Sequence, residues 1–181
     1  YQFAKVKVMA GIVSYGAYIP LMRLPLSVMA GKAPKEGGPE KAVAWMDEDS
    51  VTLGVAAAQN CLQGFDRSRI DAVIFATTTY AFAEKQAAAI IAKALNLKGD
   101  VRTADIAHST RSGTIALQSA IDAVKAGSAA RVLVIAADCR MGAPGSGFES
   151  NSGDAAAAFL IGNEGVIATL DNACAHTTEI I

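Results

Sequence analysis

Three short strand-like runs constrain this chain more than any other feature: "DAVIFATTT" (71–79), "VRTADIAHS" (101–109) and "ARVLVIAAD" (130–138). Each has strand length, and the first and last have the near-continuous apolar character of strands covered on both faces. Between them lie two helix-forming stretches, "AEKQAAAIIAKALNL" (83–97) and "SGTIALQSAIDAVKAG" (112–127). The first is rich in Ala, Lys and Leu, all good helix formers. The second places Leu117, Ile121 and Val124 on one stripe, with Gly127 as its C-terminal stop. A further helix is predicted upstream, in "DEDSVTLGVAAAQNCL" (47–62), where Asp49 or Ser50 caps the first free amides. Strand and helix alternate, so the expected class is α/β, a mainly parallel sheet with helices on both faces.

The two ends are less regular. "KVKVMAGIVSYGAYIP" is expected to be a strand from Lys5 to Val13, with a turn near Tyr15 and Gly16. Pro20 and Pro25 then interrupt the chain, and residues 30–40 read as a loop by their Gly, Pro and charge content. "CRMGAPGSGFESNSGD" (139–154) is expected to be a loop, followed by an antiparallel strand pair, "AAAAFLIG" and "GVIATLD", around a turn at 162–165.

Composition narrows the function. With 181 residues, 52% apolar and 18% charged, the chain suits one globular domain spanning 1–181. Its net charge of −1 supplies no electrostatic footprint for nucleic acid or an anionic membrane. No apolar run approaches the ~20 residues of a membrane span. The start "YQFAKVKVMAGIV" lacks the pattern of a signal peptide. Cys61, Cys139 and Cys174 are widely spaced and form no zinc pattern, so no metal is expected. Free thiols and a cytoplasmic location are the expectation. Tyr1 in place of Met reads as a trimmed chain or a piece of a longer one.

The stretch most suggestive of chemistry is "ADIAHSTRSGTIAL" (104–117), a strand, a tight turn and the start of a helix. Such a corner can hold a nucleophile against helix-end amides, which lower a thiol's pKa. This one contains no cysteine. Thr110 paired with His108 is one reading, since a hydroxyl needs a dedicated base. Capping of the helix by Thr110 or Ser112, beside an ordinary polar His108, is the other and is favoured. Arg111 is either a surface cation or a binder of phosphate or carboxylate, together with Ser112 and Gly113. "GAPGSG" (142–147) has the look of a phosphate-cradling loop without the P-loop ending. Asp47, Glu48 and Asp49 fit a dipole-matched helix start better than a metal site. Cys61 and Cys139 read as small buried residues, with Cys139 also a candidate displaced nucleophile.

The stretches "GIVSYGAYIP", "EKAVAWMDEDSVTLGVAAAQN", "ADIAHSTRSGTIAL", "VLVIAAD" and "SGDAAAAFLIG", in this order, resemble the thiolase superfamily. They are most similar to hydroxymethylglutaryl-CoA synthases and to ketoacyl synthases of the initiating type. The resemblance covers nearly the whole chain but only the N-terminal half of that fold, whose complete form is a five-layered α/β/α/β/α sandwich. The second half supplies a catalytic His and often an Asn, and it is expected to be absent here; His176 lies outside the expected context.

In that family the corner reads Asp, four residues, Cys, two residues, Gly, Thr. Asp105, Gly113 and Thr114 keep the spacing, so the resemblance places Thr110 where the nucleophilic Cys stands. A shift of one residue would place Arg111 there, equally unreactive. Thr78 falls at the position of the family's acid. The implied protein is therefore a pseudoenzyme-like subunit, without covalently bound cofactor, that works with CoA or acyl-CoA. It would support acyl transfer or carbon–carbon bond chemistry in a complex and would not act alone. Implied partners are a C-terminal thiolase-like half, other copies, or a thiolase with a zinc-ribbon/OB-fold scaffold protein. A purely structural dimerisation module, and an active acyltransferase half using Thr110 or Cys139, remain open alternatives.

Overall fold

The computed structural model describes residues 9–176. In chain order it contains β1 (Gly11–Tyr18), β2 (Arg23–Pro25), α1 (Leu26–Met29), β3 (Glu40–Ala42), α2 (Ser50–Cys61), β4 (Ala72–Thr77) and α3 (Ala87–Ala94). These are followed by β5 (Arg102–Ala107), α4 (Ser112–Lys125), β6 (Arg131–Asp138), α5 (Gly147–Asn151), β7 (Ala155–Gly162) and β8 (Ala168–Thr169). Six strands form one sheet in the order β5-β4-β6-β7-β1-β8, and β2 and β3 pair separately. Neighbours β5, β4 and β6 are parallel. β7 runs antiparallel to both β6 and β1, and β8 antiparallel to β1. Four of the six strands therefore point the same way, which gives the mainly parallel α/β sheet expected from the alternation.

Helices cover both faces. Leu53, Ala57 and Cys61 of α2 and Ala88 and Ile91 of α3 pack with Phe75, Leu133, Ile135 and Leu160 on one side. Ala116, Ala120, Ile121 and Val124 of α4 pack with Ala76, Val132, Val134 and Ile161 on the other. Successive residues of β6 thus go to opposite cores, as the two-residue period of a strand requires. Small residues let the helices sit close. A methyl group built at Gly54 of α2 would lie 3.1 Å from Ile135 Cγ2 and 3.3 Å from a Phe75 ring carbon. That closeness accounts for a chain rich in Ala and poor in aromatics.

Local signals set the helix limits. Asp49 accepts from the Thr52 amide at 2.8 Å while Thr52 Oγ1 accepts from the Asp49 amide at 2.7 Å, a capping box at the start of α2. Gly127 follows α4 at φ +71°, a left-handed stop suited to glycine. α3 begins at Ala87, later than its helix-forming composition predicts, where the Ala87 and Ala88 amides donate to the Asp105 carboxylate.

Three expectations are corrected. The N-terminal strand is Gly11–Tyr18 and runs straight through Tyr15 and Gly16; residues 5–8 of the expected strand lie outside the described residues. Gly16 serves close approach, since a Cβ there would lie 2.3 Å from the Cys61 amide nitrogen and 2.5 Å from the Ala57 carbonyl oxygen. The strands of the expected terminal hairpin are not partners, because β1 inserts between β7 and β8 and hydrogen-bonds both. Finally, the expected loop 30–40 is framed by the β2–β3 pair, and the expected loop 139–154 contains the short α5.

Candidate functional site

In open α/β sheets, loops at the carboxyl ends of the strands gather residues from distant parts of the chain. Here the ends of β4, β5 and β6 converge on the N-terminus of α4 and enclose a recess of about 220 Å³. Thr78, Thr110, Ser112 and Gly113, all selected from the sequence, line it together with Ser109, Asp138 and Arg140.

Asp138 organises one wall. Its Oδ1 lies 3.0 Å from Thr77 Oγ1, 2.6 Å from the Thr78 amide, and 3.0 Å from Thr78 Oγ1, the Thr79 amide and Thr79 Oγ1. One carboxylate oxygen thus fixes the three-threonine turn after β4. Ser50 Oγ donates to the Thr79 carbonyl at 2.9 Å, tying the start of α2 to the same turn. Thr78 is held by this network and carries no carboxyl group for acid–base work.

The opposite wall is the corner between β5 and α4. His108 adopts φ +65°, a left-handed conformation uncommon outside glycine, and its amide donates to the Thr77 carbonyl at 3.3 Å. This reversal sets Ser109 as the hydrogen-bonding hub. Ser109 Oγ accepts from the Arg111 amide at 3.2 Å. The Ser109 carbonyl accepts from the Ser112 amide at 3.0 Å and from Ser112 Oγ at 2.6 Å. The capping role expected of Thr110 or Ser112 is not taken up: the N-cap position of α4 is Arg111, no side chain caps the helix, and Ser112 is a buried donor at 2% exposure. The Thr110 hydroxyl has no hydrogen-bond partner among the described residues and sits on the recess wall. The amides of Gly113 and Thr114 likewise have no acceptor among the described residues.

Not every candidate comes together. The His108 imidazole is exposed, tilts toward Tyr80 with ring centroids 6.3 Å apart, and makes no hydrogen bond to Thr110 among the described residues. Arg111 lines a separate groove of about 290 Å³ with Thr114, Ile115 and Gln118 of α4 and with Ala173–Ala175 of the tail. Asp105, which keeps the motif spacing, serves as scaffold. Its carboxylate accepts from the Ala87 amide at 2.9 Å and the Ala88 amide at 2.8 Å, holding the start of α3, and from the Tyr80 hydroxyl. Burial and then this bond to Asp105 push the Tyr80 hydroxyl above its ordinary value.

The thiols and the remaining motifs are accounted for elsewhere. Cys139 follows Asp138 but does not line the recess. Burial, then the carboxylates of Asp154, Asp49, Asp138 and Glu48, push its thiol up to about 12. That holds it mainly as a thiol at neutral pH, which lowers its reactivity. Burial also pushes the Cys61 thiol up. In "GAPGSG" the Gly145 amide donates to Glu149 Oε2 at 2.7 Å, and Ser146 Oγ accepts from the Glu149 amide at 3.2 Å. That loop satisfies itself and is no open phosphate cradle. Glu48 accepts from the Tyr18 hydroxyl and from the Trp45 amide at 2.8 Å, so the acidic run is engaged in helix entry.

Asp138 and Arg140 were not singled out from the sequence. Their signal is positional: Asp138 ends a buried strand and Arg140 follows it, where α/β sheets place ligand-facing residues. The Arg140 guanidinium lies 4.3 Å from the Phe148 ring centroid.

No family model matches the chain. Individual proteins do. It is 34% identical to the hydroxymethylglutaryl-CoA synthase of Methanosphaera stadtmanae over 94% of this chain and 52% of that one. To the Pyrococcus furiosus enzyme of the same name it is 38% identical over 85% of this chain and 45% of the relative. The chain thus spans about half the length of the curated relatives it matches. A crystal structure of HMG-CoA synthase complexed with CoA superposes with TM-score 0.77 at 26% identity, covering 86% of this chain and 42% of the other. A priming β-ketosynthase of a polyketide pathway shares the fold at TM-score 0.78 and 23% identity, over 91% and 54% of the two chains. No helix among the described residues is long and apolar enough to cross a membrane. Sequence and fold together make this chain a homologue of the N-terminal half of hydroxymethylglutaryl-CoA synthases, within the thiolase superfamily.

Proposed function

We propose that this chain is the acyl-CoA-related N-terminal half of a thiolase-superfamily assembly, with the architecture of an acyl-thioester site but without its nucleophile. The observation that carries this reading is the recess itself. Thr78 and Thr110, assigned by resemblance to the acid and thiol positions, line one cavity at the amides of α4, and no thiol among the described residues lines it. A threonine hydroxyl is too weakly acidic for helix-end amides alone to activate it. No hydrogen bond joins the Thr110 hydroxyl to a base among the described residues: His108 turns toward Tyr80, and Asp138 spends Oδ1 on the threonine turn. The chain would then shape and bind, while a partner supplies the covalent step.

That partner is a C-terminal thiolase-like half, another copy, or a thiolase with a zinc-ribbon/OB-fold scaffold protein. The joint activity is acyl transfer or carbon–carbon bond formation or cleavage on a CoA thioester. CoA is the ligand favoured, because a homologous synthase was crystallised with it.

The test uses the chain in its native complex. CoA and acetyl-CoA should raise the melting temperature of this subunit, and radiolabelled acetyl-CoA should leave no stable label on it. An acetyl ester mapped to Thr110 would establish an active half instead. Absence of any shift with CoA, acetyl-CoA or acetoacetyl-CoA would favour a structural dimerisation module.

A further inference from the structure

Arg140 is a guanidinium without a counter-ion among the described residues. Among the described residues it enters none of the ion pairs, which involve Arg23, Arg69, Arg131 and Lys98. It donates no hydrogen bond there either, although the side chain is only part exposed and its plane is steadied against the Phe148 ring. A cation held in one orientation at a cavity wall, with its five donors unspent, is a group prepared for an oxyanion.

Across the same recess stand further donors that lack acceptors among the described residues: the Thr110 hydroxyl and the Gly113 amide, at the positive end of a 14-residue helix. Two independent donor sets thus border one cavity. The cavity holds about 220 Å³, below the ~300 Å³ at which pockets begin to enclose drug-sized ligands. It suits a small acid or the end of a chain, not a whole nucleotide. Asp138 adds one negative charge to the wall, so a monoanion is better tolerated than a dianion.

We infer that this recess is a carboxylate-binding site, with Arg140 as its cation and the α4 amides as its second donor set. This goes beyond the CoA-thioester reading and does not depend on it. The carboxylate arrives either as a free small acid or as the ω-end of an acyl chain.

The experiment is a titration of the full ¹⁵N-labelled chain, in the assembly in which it purifies, followed by amide and arginine Nε–H resonances. Propionate should shift Gly113, Thr114 and Arg140, while the isosteric neutral propionamide should not. Arg140→Gln should weaken propionate binding about tenfold or more, the range for losing a charged hydrogen bond. Equal responses to propionate and propionamide in the unaltered protein would overturn the inference, and so would an unchanged affinity in Arg140→Gln. Tighter binding of inorganic phosphate than of propionate would overturn the choice of a carboxylate. A second arm compares CoA with succinyl-CoA, each in the unaltered chain and in Arg140→Gln. An Arg140-dependent preference for succinyl-CoA places the carboxylate on an acyl chain; response to propionate with none to either CoA species keeps the site as one for free acids and removes the CoA reading.

Discussion

Thr110→Cys restores a thiol to the recess wall, and its reactivity can be estimated beforehand. An ordinary cysteine, with pKa near 8.5, is about 3% thiolate at pH 7. Cys139, pushed up to about 12, is ionised to about one part in 10⁵ at the same pH. The ionised fractions differ by about 3.5 decades. Intrinsic nucleophilicity rises with pKa at a slope of about 0.4–0.5, which returns roughly 1.5 decades to Cys139. Alkylation of Thr110→Cys by iodoacetamide should therefore run about 100-fold faster than that of Cys139. The free amides of Gly113 and Thr114 should lower the new thiol's pKa further. Cys174, exposed on the tail, is the internal reference, and the engineered thiol should at least match it. Peptide mapping after timed quenching gives all the rates at once, and repeating it from pH 5 to 9 gives the titration midpoint. A Thr110→Cys thiol slower than Cys174, in a protein whose circular dichroism and melting point are unchanged, would refute the argument that the recess is open and electropositive.

Gly16→Ala should cost about 3 kcal/mol or more, because its methyl meets immovable α2 backbone; a denaturation midpoint shifted by under a third of that would contradict the packing. Ser109→Ala should cost about 1 kcal/mol through the lost acceptor of the Arg111 amide in the turn before α4, whereas Thr110→Ala should be almost silent in the same urea titration. The reverse order would make Thr110 the residue that holds the helix start. At Asp71, burial alone pushes the carboxyl up. The amides of Arg131 and Ala130 together with Lys98 outweigh it and hold the group below the ordinary 3.8. Its contribution is complete above that value and is lost as pH falls through the lower folded value. Asp71→Asn should therefore flatten the acid limb of melting temperature below about pH 4, and an unchanged limb would show that another group governs it.

What the sequence discloses here depends on how local each cause is. β4 and β6 are legible because burial on both faces leaves uninterrupted apolar runs. The start of α2 is legible because Asp49 and Thr52 satisfy each other within one turn. The order β7-β1-β8 is not, since it depends on pairing between opposite ends of the chain. Gly16 carries the local signature of a turn, and only the backbone of α2 reveals it as a contact point. Within the site, Thr78, Thr110, Ser112 and Gly113 were recoverable from motif spacing. Asp138 was not, because the turn it holds lies some 60 residues earlier. Nor was the uncapped start of α4 at Arg111, which follows the left-handed turn at His108.

The insertion of β1 between β7 and β8 also sets an order of events in the cell. β1 is made early, yet its partners on β7 lie about 140 to 150 residues downstream. At roughly 5 to 20 residues per second, a ribosome takes about 7 to 30 s to deliver them. The parallel unit β4-β5-β6 can assemble meanwhile from neighbouring segments, but β1 waits with both edges bare and with the α2 face it later covers still open. A chaperone that engages this nascent chain has its natural target in residues 11–18, and release awaits the emergence of β7.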